Sequence, residues 1–404
     1  MAQTVRGAVV TPEAVLSDGV VVVDDGVITW VGDAASAVAA GWGEAVAAVP
    51  AAPERLVLPR LVDLHDHGGG GASFPDATSL DQVRTAVAEH AAHGTRHVVA
   101  SLVTAAPEVL RERVALLADA ADQGLIAGIH LEGPFLSTAR CGAQDPALII
   151  DGDAALTREL LAIGRGHVVT MTVAPETPNL LGPDGVLEAL VEGGALPSWG
   201  HTDADATTMR TAVEAGVAAL AAHGEAARSA RATVTHLCNG MPPMHHRTPG
   251  PVPTALAMAA QGHLVVELVG DGTHLAPEFV REVFEIVGAA NVALVTDAMA
   301  AAGMPDGIYQ LGTQRVSVDD GVARLADGGS IAGGTAHLLD VVRTTVAAGV
   351  PLHEAVRSAS LVPAEVIGHR RVGRAFGAIR AGYLADLLLT DLDLRPWDTG
   401  AAQG

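Results

Sequence analysis

The chain contains no lysine: all 24 of its basic residues are arginine. That absence excludes a Schiff-base lysine, a phosphate-loop lysine and a carboxylated-lysine bridge between metals. Two cysteines, Cys141 and Cys238, are too few for a disulfide framework, and a reduced cytoplasmic setting is the simplest reading. Positive charge is scarce as well. With 46 acidic residues the formal net charge is −22, which argues against nucleic acid as a partner. Long apolar runs are missing: VALVTDAMAAAG and its like are broken by polar residues well before membrane-spanning length, so no membrane partner is expected. The opening MAQTVRGAVVTPEAV has neither the basic nor the apolar region of a signal peptide.

What remains is a chain of 404 residues with 49% apolar and 17% charged residues, ample for a buried core. Residues 1–58 read as short strands: GAVV, VVVVDDGVITWVG around a DDG turn, and RLVLP. After residue 370, GAIRAGYLADLLLTD repeats the pattern of a glycine turn and an apolar strand. The two ends, 1–58 and 371–404, are therefore expected to form one small β-sandwich domain. The closing RPWDTGAAQG has no obvious further strand, so that domain is expected to be trimmed.

Residues 59–370 alternate apolar β runs with Ala-rich amphipathic stretches such as LDQVRTAVAEHAAHG. Eight candidate strands follow in order: VLPRLVDLH, RHVVASLVT, GLIAGIHLE, HVVTMTVAPE, ALPSWGH, ATVTHLC, HLVVELVGDG and NVALVTD. Eight β/α units predict a closed (β/α)8 barrel of the TIM type, with its active site at the C-terminal strand ends.

Acids and imidazoles of metal-binding type stand at those ends. In VDLHDHG, side-chain alternation puts His65 and His67 on one side, able to grip one ion, while Asp66 points away. Glu132 ends the third strand in HLEGPF, where Gly133 and Pro134 turn the chain. In a chain without lysine it is the best available bridge between two cations. His201 and His236 end the fifth and sixth strands. Each alone could be a hydrogen-bonded core histidine; together they complete a nitrogen and oxygen set suited to divalent zinc or iron. Asp297 ends the eighth strand, where a carboxylate beside an activated water can carry its proton.

HLEGPF, GHTDA, THLCNGMPP and VTDAM, followed by IAGGTAHL, resemble the N-acetylglucosamine-6-phosphate deacetylases of the amidohydrolase superfamily. The resemblance runs from LVLPRLVDLHDHG to AGYLADLLLTD. It implies hydrolysis of the acetamide of an N-acetylated amino-sugar 6-phosphate, with Asp297 as general acid/base. Glu132, His201 and His236 would hold the principal metal, and His65 with His67 a second. Substrate contacts map to Ala143, Gln144, Asn239, Gly240, Arg247, His274 and the turn Ile331, Ala332 and Gly333. Arg247 and His274 would hold the phosphate, one of them reaching across a homodimer interface.

The sequence also departs from that pattern. Gln144 stands where part of the family has His near the amide carbonyl, Gly240 replaces a more common Ala with little expected effect, and Arg60 stands where Gly often precedes the first barrel strand. Cyclic-amide hydrolases and nucleobase deaminases are rival readings. The first commonly need a carboxylated lysine, and the second have no use for the basic loop around Arg247. A silent scaffold would be expected to lose ligands, and none is missing.

Overall fold

The computed structural model describes residues 3–368 and 375–397. The expected division at 370/371 and the last residues, 398–404, lie outside them. Eight parallel strands form the barrel: Leu61–Asp66, Thr95–Leu102, Gly128–Glu132, Val168–Val173, Leu196–Trp199, Ala232–Val234, Leu264–Leu268 and Val292–Leu294. Each pairs with the next in sequence order. The ring closes just past the eighth strand, where Asp297 N–H donates to His65 O at 2.9 Å and His67 N–H to Ala298 O at 2.7 Å. Most strands are buried along their whole length, which is why Val, Leu and Ile crowd them instead of alternating with polar residues.

Crossover helices cover the barrel through one apolar stripe each. Helix Leu80–Ala92 buries Val83, Ala86 and His90, at helical spacing. Pro107 opens helix Pro107–Asp122, where its missing N–H is not needed. Asp153 caps helix Ala154–Ile163 by accepting from the N–H groups of Ala155 and Leu156.

The chain ends build a five-stranded sheet from Gln3–Val10, Val15–Asp24, Val27–Asp33, Leu56–Pro59 and the returning Leu387–Thr390. Among the described residues its second layer is helical rather than a facing sheet. Ala37 and Val46, from two short helices, pack on Val20 and Val22. The run VLPRLVDLH divides at Arg60. Leu56–Pro59 pairs with the terminal strand, and Leu61 starts the barrel. Arg60 itself lies 3.7 Å from Asp386, so it ties the two sheets rather than disturbing the barrel strand.

One element was not anticipated. Gly307–Leu311, Gln314–Asp319 and Val322–Leu325 form an antiparallel sheet after the eighth strand. Its alternating exposure and its GT and DDG turns fit the ordinary hairpin rules. It stands beside the barrel mouth.

Candidate metal centre and active site

The donor side chains expected at the strand ends meet at one point. His201 Nε2 and His236 Nε2 each lie 2.9 Å from Glu132 Oε1 and 3.1 Å from one another. On the other side His67 Nε2 lies 3.3 Å from Glu132 Oε2 and 3.0 Å from His65 Nε2. Asp297 Oδ1 is 3.4 Å from His65 Nε2 and 3.3 Å from His67 Nε2. Glu132 therefore stands between two sets, His65/His67 and His201/His236, each with ligand atoms close enough to share an ion.

Three of these residues sit beyond the regular strands in left-handed backbone: His201 (φ 46°), His236 (φ 25°) and Asp297 (φ 49°). Non-glycine residues seldom adopt that region, and such strain is typical where a side chain must be re-aimed. The surroundings hold them there. His201 Nδ1 lies 2.8 Å from Arg140 O. Gly240, at φ 61°, lies directly beneath the His201 ring; a Cβ there would come within 2.8 Å of Nδ1. The expectation that glycine at 240 matters little is thus corrected for this chain, because an alanine would press on a candidate ligand.

Electrostatics make the site a trap for positive charge. Burial raises the Glu132 carboxyl, but His201, His236, His65 and His67 outweigh it and hold the group well below the usual carboxylate range. Burial lowers His67, yet Asp297 and Glu132 lift it to about 9. Two imidazole nitrogens 3.0 Å apart cannot both present lone pairs without something positive between them. Protons or a metal ion can supply that charge, and a buried cluster of four imidazoles and a bridging carboxylate has the donor chemistry of a divalent metal centre. Asp297 is likewise kept ionised: the charges of His65 and His67 overcome the effect of burial.

A cavity of about 360 Å³ opens over these residues. Ala143, Gln144, Asn239, Gly240, His274, Ile331 and Gly333 all line it, together with His67, Glu132, His201, His236 and Asp297. Ala332 does not: it is buried beneath, in the core of the added hairpin sheet. Arg247 does not either. It is exposed on the loop His245–Thr248, with Nη1 2.7 Å from His246 Nε2. Gln144 is already engaged, because its Nε2 donates to Glu132 Oε2 at 2.6 Å while its Oε1 accepts from Thr104 N–H. His274 turns Nε2 toward Asp297 Oδ2 at 3.9 Å and holds Asp271 through Nδ1 at 2.8 Å.

Sequence reading missed Glu267. Its Oε2 lies 3.2 Å from His65 Nδ1 and accepts from His236 N–H at 3.2 Å, so one buried carboxylate orients members of both histidine pairs. A single charge inside the fully buried run LVVEL was the available signal. Leu311 and Ser330, also on the cavity wall, were missed together with the hairpin sheet.

Residues 56–403 match the amidohydrolase family, and the chain belongs to it. N-acetylglucosamine-6-phosphate deacetylase of Bacillus subtilis is 33% identical over 330 residues, 80% of this chain and 76% of that protein. The crystal structure of the Mycobacterium smegmatis deacetylase superposes with a TM-score of 0.83 at 38% identity, covering 98% of this chain and 97% of that one. An aspartate-to-alanine variant of the same mycobacterial enzyme, solved with N-acetyl-D-glucosamine 6-phosphate, gives 0.84 at 37% identity, covering 98% and 96%. Within the amidohydrolases, the chain is a member of the N-acetylglucosamine-6-phosphate deacetylase family. Among the described residues, no helix is long and apolar enough to cross a membrane.

Proposed function

We propose that this chain hydrolyses N-acetyl-D-glucosamine 6-phosphate to glucosamine 6-phosphate and acetate, as a step in amino-sugar breakdown in the cytoplasm. The observation that carries the reading is Glu132 held between two histidine pairs with Asp297 beside them, at the mouth of a barrel of this family. Glu132, His201 and His236 would hold the principal divalent ion, zinc in the first instance with iron as the alternative. His65 and His67 would hold a second. Such an ion supplies Lewis acidity toward the acetyl carbonyl and makes water nucleophilic near neutral pH.

The protein's own groups do the rest. Asp297 takes the proton of the attacking water and returns it to the departing nitrogen. Its backbone N–H, tied to His65 O, fixes where the carboxylate stands. Gln144 pins Glu132 from the substrate side. His274 and the turn around Ile331 and Gly333 hold the sugar, His274 with its free nitrogen close to the reacting end. Arg247 is exposed and does not line its own cavity, which fits a forked, permanently charged contact to the phosphate of a substrate in a neighbouring copy of a homodimer. Anchoring the phosphate converts distant binding energy into alignment of the amide.

The test is acetate release from a panel of N-acetylhexosamine 6-phosphates, with metal content measured on the same sample. No release from any of them by metal-loaded protein would end this reading.

A further inference from the structure

A second gathering of ligand-type side chains lies off the catalytic cavity. Glu89 stands in the last turn of helix Leu80–Ala92, and His93 follows four positions on, so both face one side. His337, at the start of helix Leu338–Ala347, comes to meet them. Its Nε2 lies 2.9 Å from Glu89 Oε1, and His93 Nδ1 lies 3.3 Å from the same oxygen. The two imidazoles stack with centroids 3.6 Å apart and planes 12° from parallel. One atom from each of the three side chains falls within 4.8 Å of the others, and none of the three residues lines the catalytic cavity.

Two features separate this cluster from an ordinary surface ion pair. His337 Nδ1 lies 3.4 Å from Asp340 Oδ2, and Asp340 is itself held by Arg343. A carboxylate behind one ring nitrogen, leaving the other aimed at a shared point, is the arrangement that supports metal-bound histidines. Glu89, in turn, is only partly exposed and is packed against glycines. A Cβ on Gly303 would come within 2.0 Å of Glu89 Oε1, and one on Gly70 within 3.3 Å of Glu89 Cβ. The stack of His93 on His337 would open on binding, because an ion lies in the plane of each ring that holds it.

We propose that Glu89, His93 and His337 bind a divalent transition-metal ion of the zinc class, separate from the centre at Glu132. Two imidazoles and one carboxylate are a ligand set such ions accept, with water completing the shell. His93 would give up its present contact between Nδ1 and Glu89 O, 2.9 Å, to bind. The ion's effect is structural. The loops that follow His67 and Asp297 are already joined, because Gly70 and Gly71 donate to Ala302 O and Ala300 O. Glu89 packs against both loops, and His337 follows the Ile331–Gly333 turn. An ion here ties helix Leu80–Ala92 and three cavity-bordering segments together.

To test this, protein with its barrel metal in place is equilibrated with Zn2+ at fixed free concentrations, and bound zinc per chain is counted alongside the melting temperature. Wild type should take up one equivalent more than His93→Ala and gain a zinc-dependent rise in Tm that the variant lacks. The His93 side chain is 42% exposed, so the variant should fold, and its turnover on the barrel substrate should be unchanged. Asp340→Asn should weaken the extra equivalent by roughly 10–100-fold, the usual loss for an outer partner of a ligand. Equal zinc uptake by wild type and His93→Ala, or no extra equivalent in either, overturns the proposal and leaves the cluster an ion pair. Absent acetate release with the extra equivalent intact would instead count against the deacetylase reading alone.

Discussion

Replacing Asp297 by Asn separates proton transfer from everything else the residue does. The backbone should tolerate the change. Position 297 sits at φ 49°, a region Asn occupies more readily than most residues, and the hydrogen bond from its N–H to His65 O does not involve the side chain. Metal should stay, because Glu132, His201 and His236 converge without help from Asp297. An amide keeps the volume beside His65 and His67 but cannot accept the water's proton. A positioned general acid/base is worth about 10²–10⁴-fold, so turnover should fall at least ~100-fold, or about 2.7 kcal/mol in the barrier. KM and Tm should stay close to wild type. The assay is acetate release at saturating substrate, with metal analysis and a thermal melt on the same preparation. Turnover within about 3-fold of wild type, well below the range for a proton carrier, removes Asp297 from the mechanism. Loss of metal from the variant would recast Asp297 as a ligand and equally refute the reasoning.

Glu267→Gln should weaken metal binding by roughly 10–100-fold while leaving the fold intact, since it loosens His65 and His236 together; unchanged affinity in a competition titration would make Glu267 a packing residue only. Arg247→Ala should raise KM for the phosphorylated sugar by an amount corresponding to about 2–5 kcal/mol if the contact is buried in the dimer, and leave the unphosphorylated sugar unaffected. Mixing it with Asp297→Asn chains should restore activity, and failure to do so would place the phosphate contact within one chain. The Asp271–His274 pair gives a pH prediction. Burial raises the Asp271 carboxyl, but its bond to His274 outweighs this and lowers it; burial lowers His274, but Asp271 outweighs this and raises it. The carboxylate's contribution is lost as pH falls through its lowered pKa, and the imidazolium's as pH rises through its raised one, so the pair is strongest between them. Asp271→Asn should therefore move the alkaline rise in KM to lower pH, and an unmoved profile would mean that His274 does not bind substrate as a cation.

The barrel and the gathering of its candidate ligands were legible because they rest on local pattern. Period-two alternation puts His65 and His67 on one side, and buried apolar runs mark each strand whose end carries a candidate ligand. What was not legible depends on neighbours far away in sequence. Glu267 lay inside a strand recognised from its apolar residues, but its role exists only because closure of the barrel brings it to His65, 202 positions away. The consequence of glycine at 240 is a distance to the His201 ring, and no feature of CNGMPP encodes that distance. The added sheet at 307–325 carries its own hairpin signals but lies beyond the eight β/α units that make the barrel. Arg247 marks the limit from the other side. Its charge and its loop suit a phosphate, yet it is exposed and does not line the cavity of its own chain. In the proposed homodimer its geometry would be completed by a second chain, and information of that kind lies in assembly rather than in the fold of one copy.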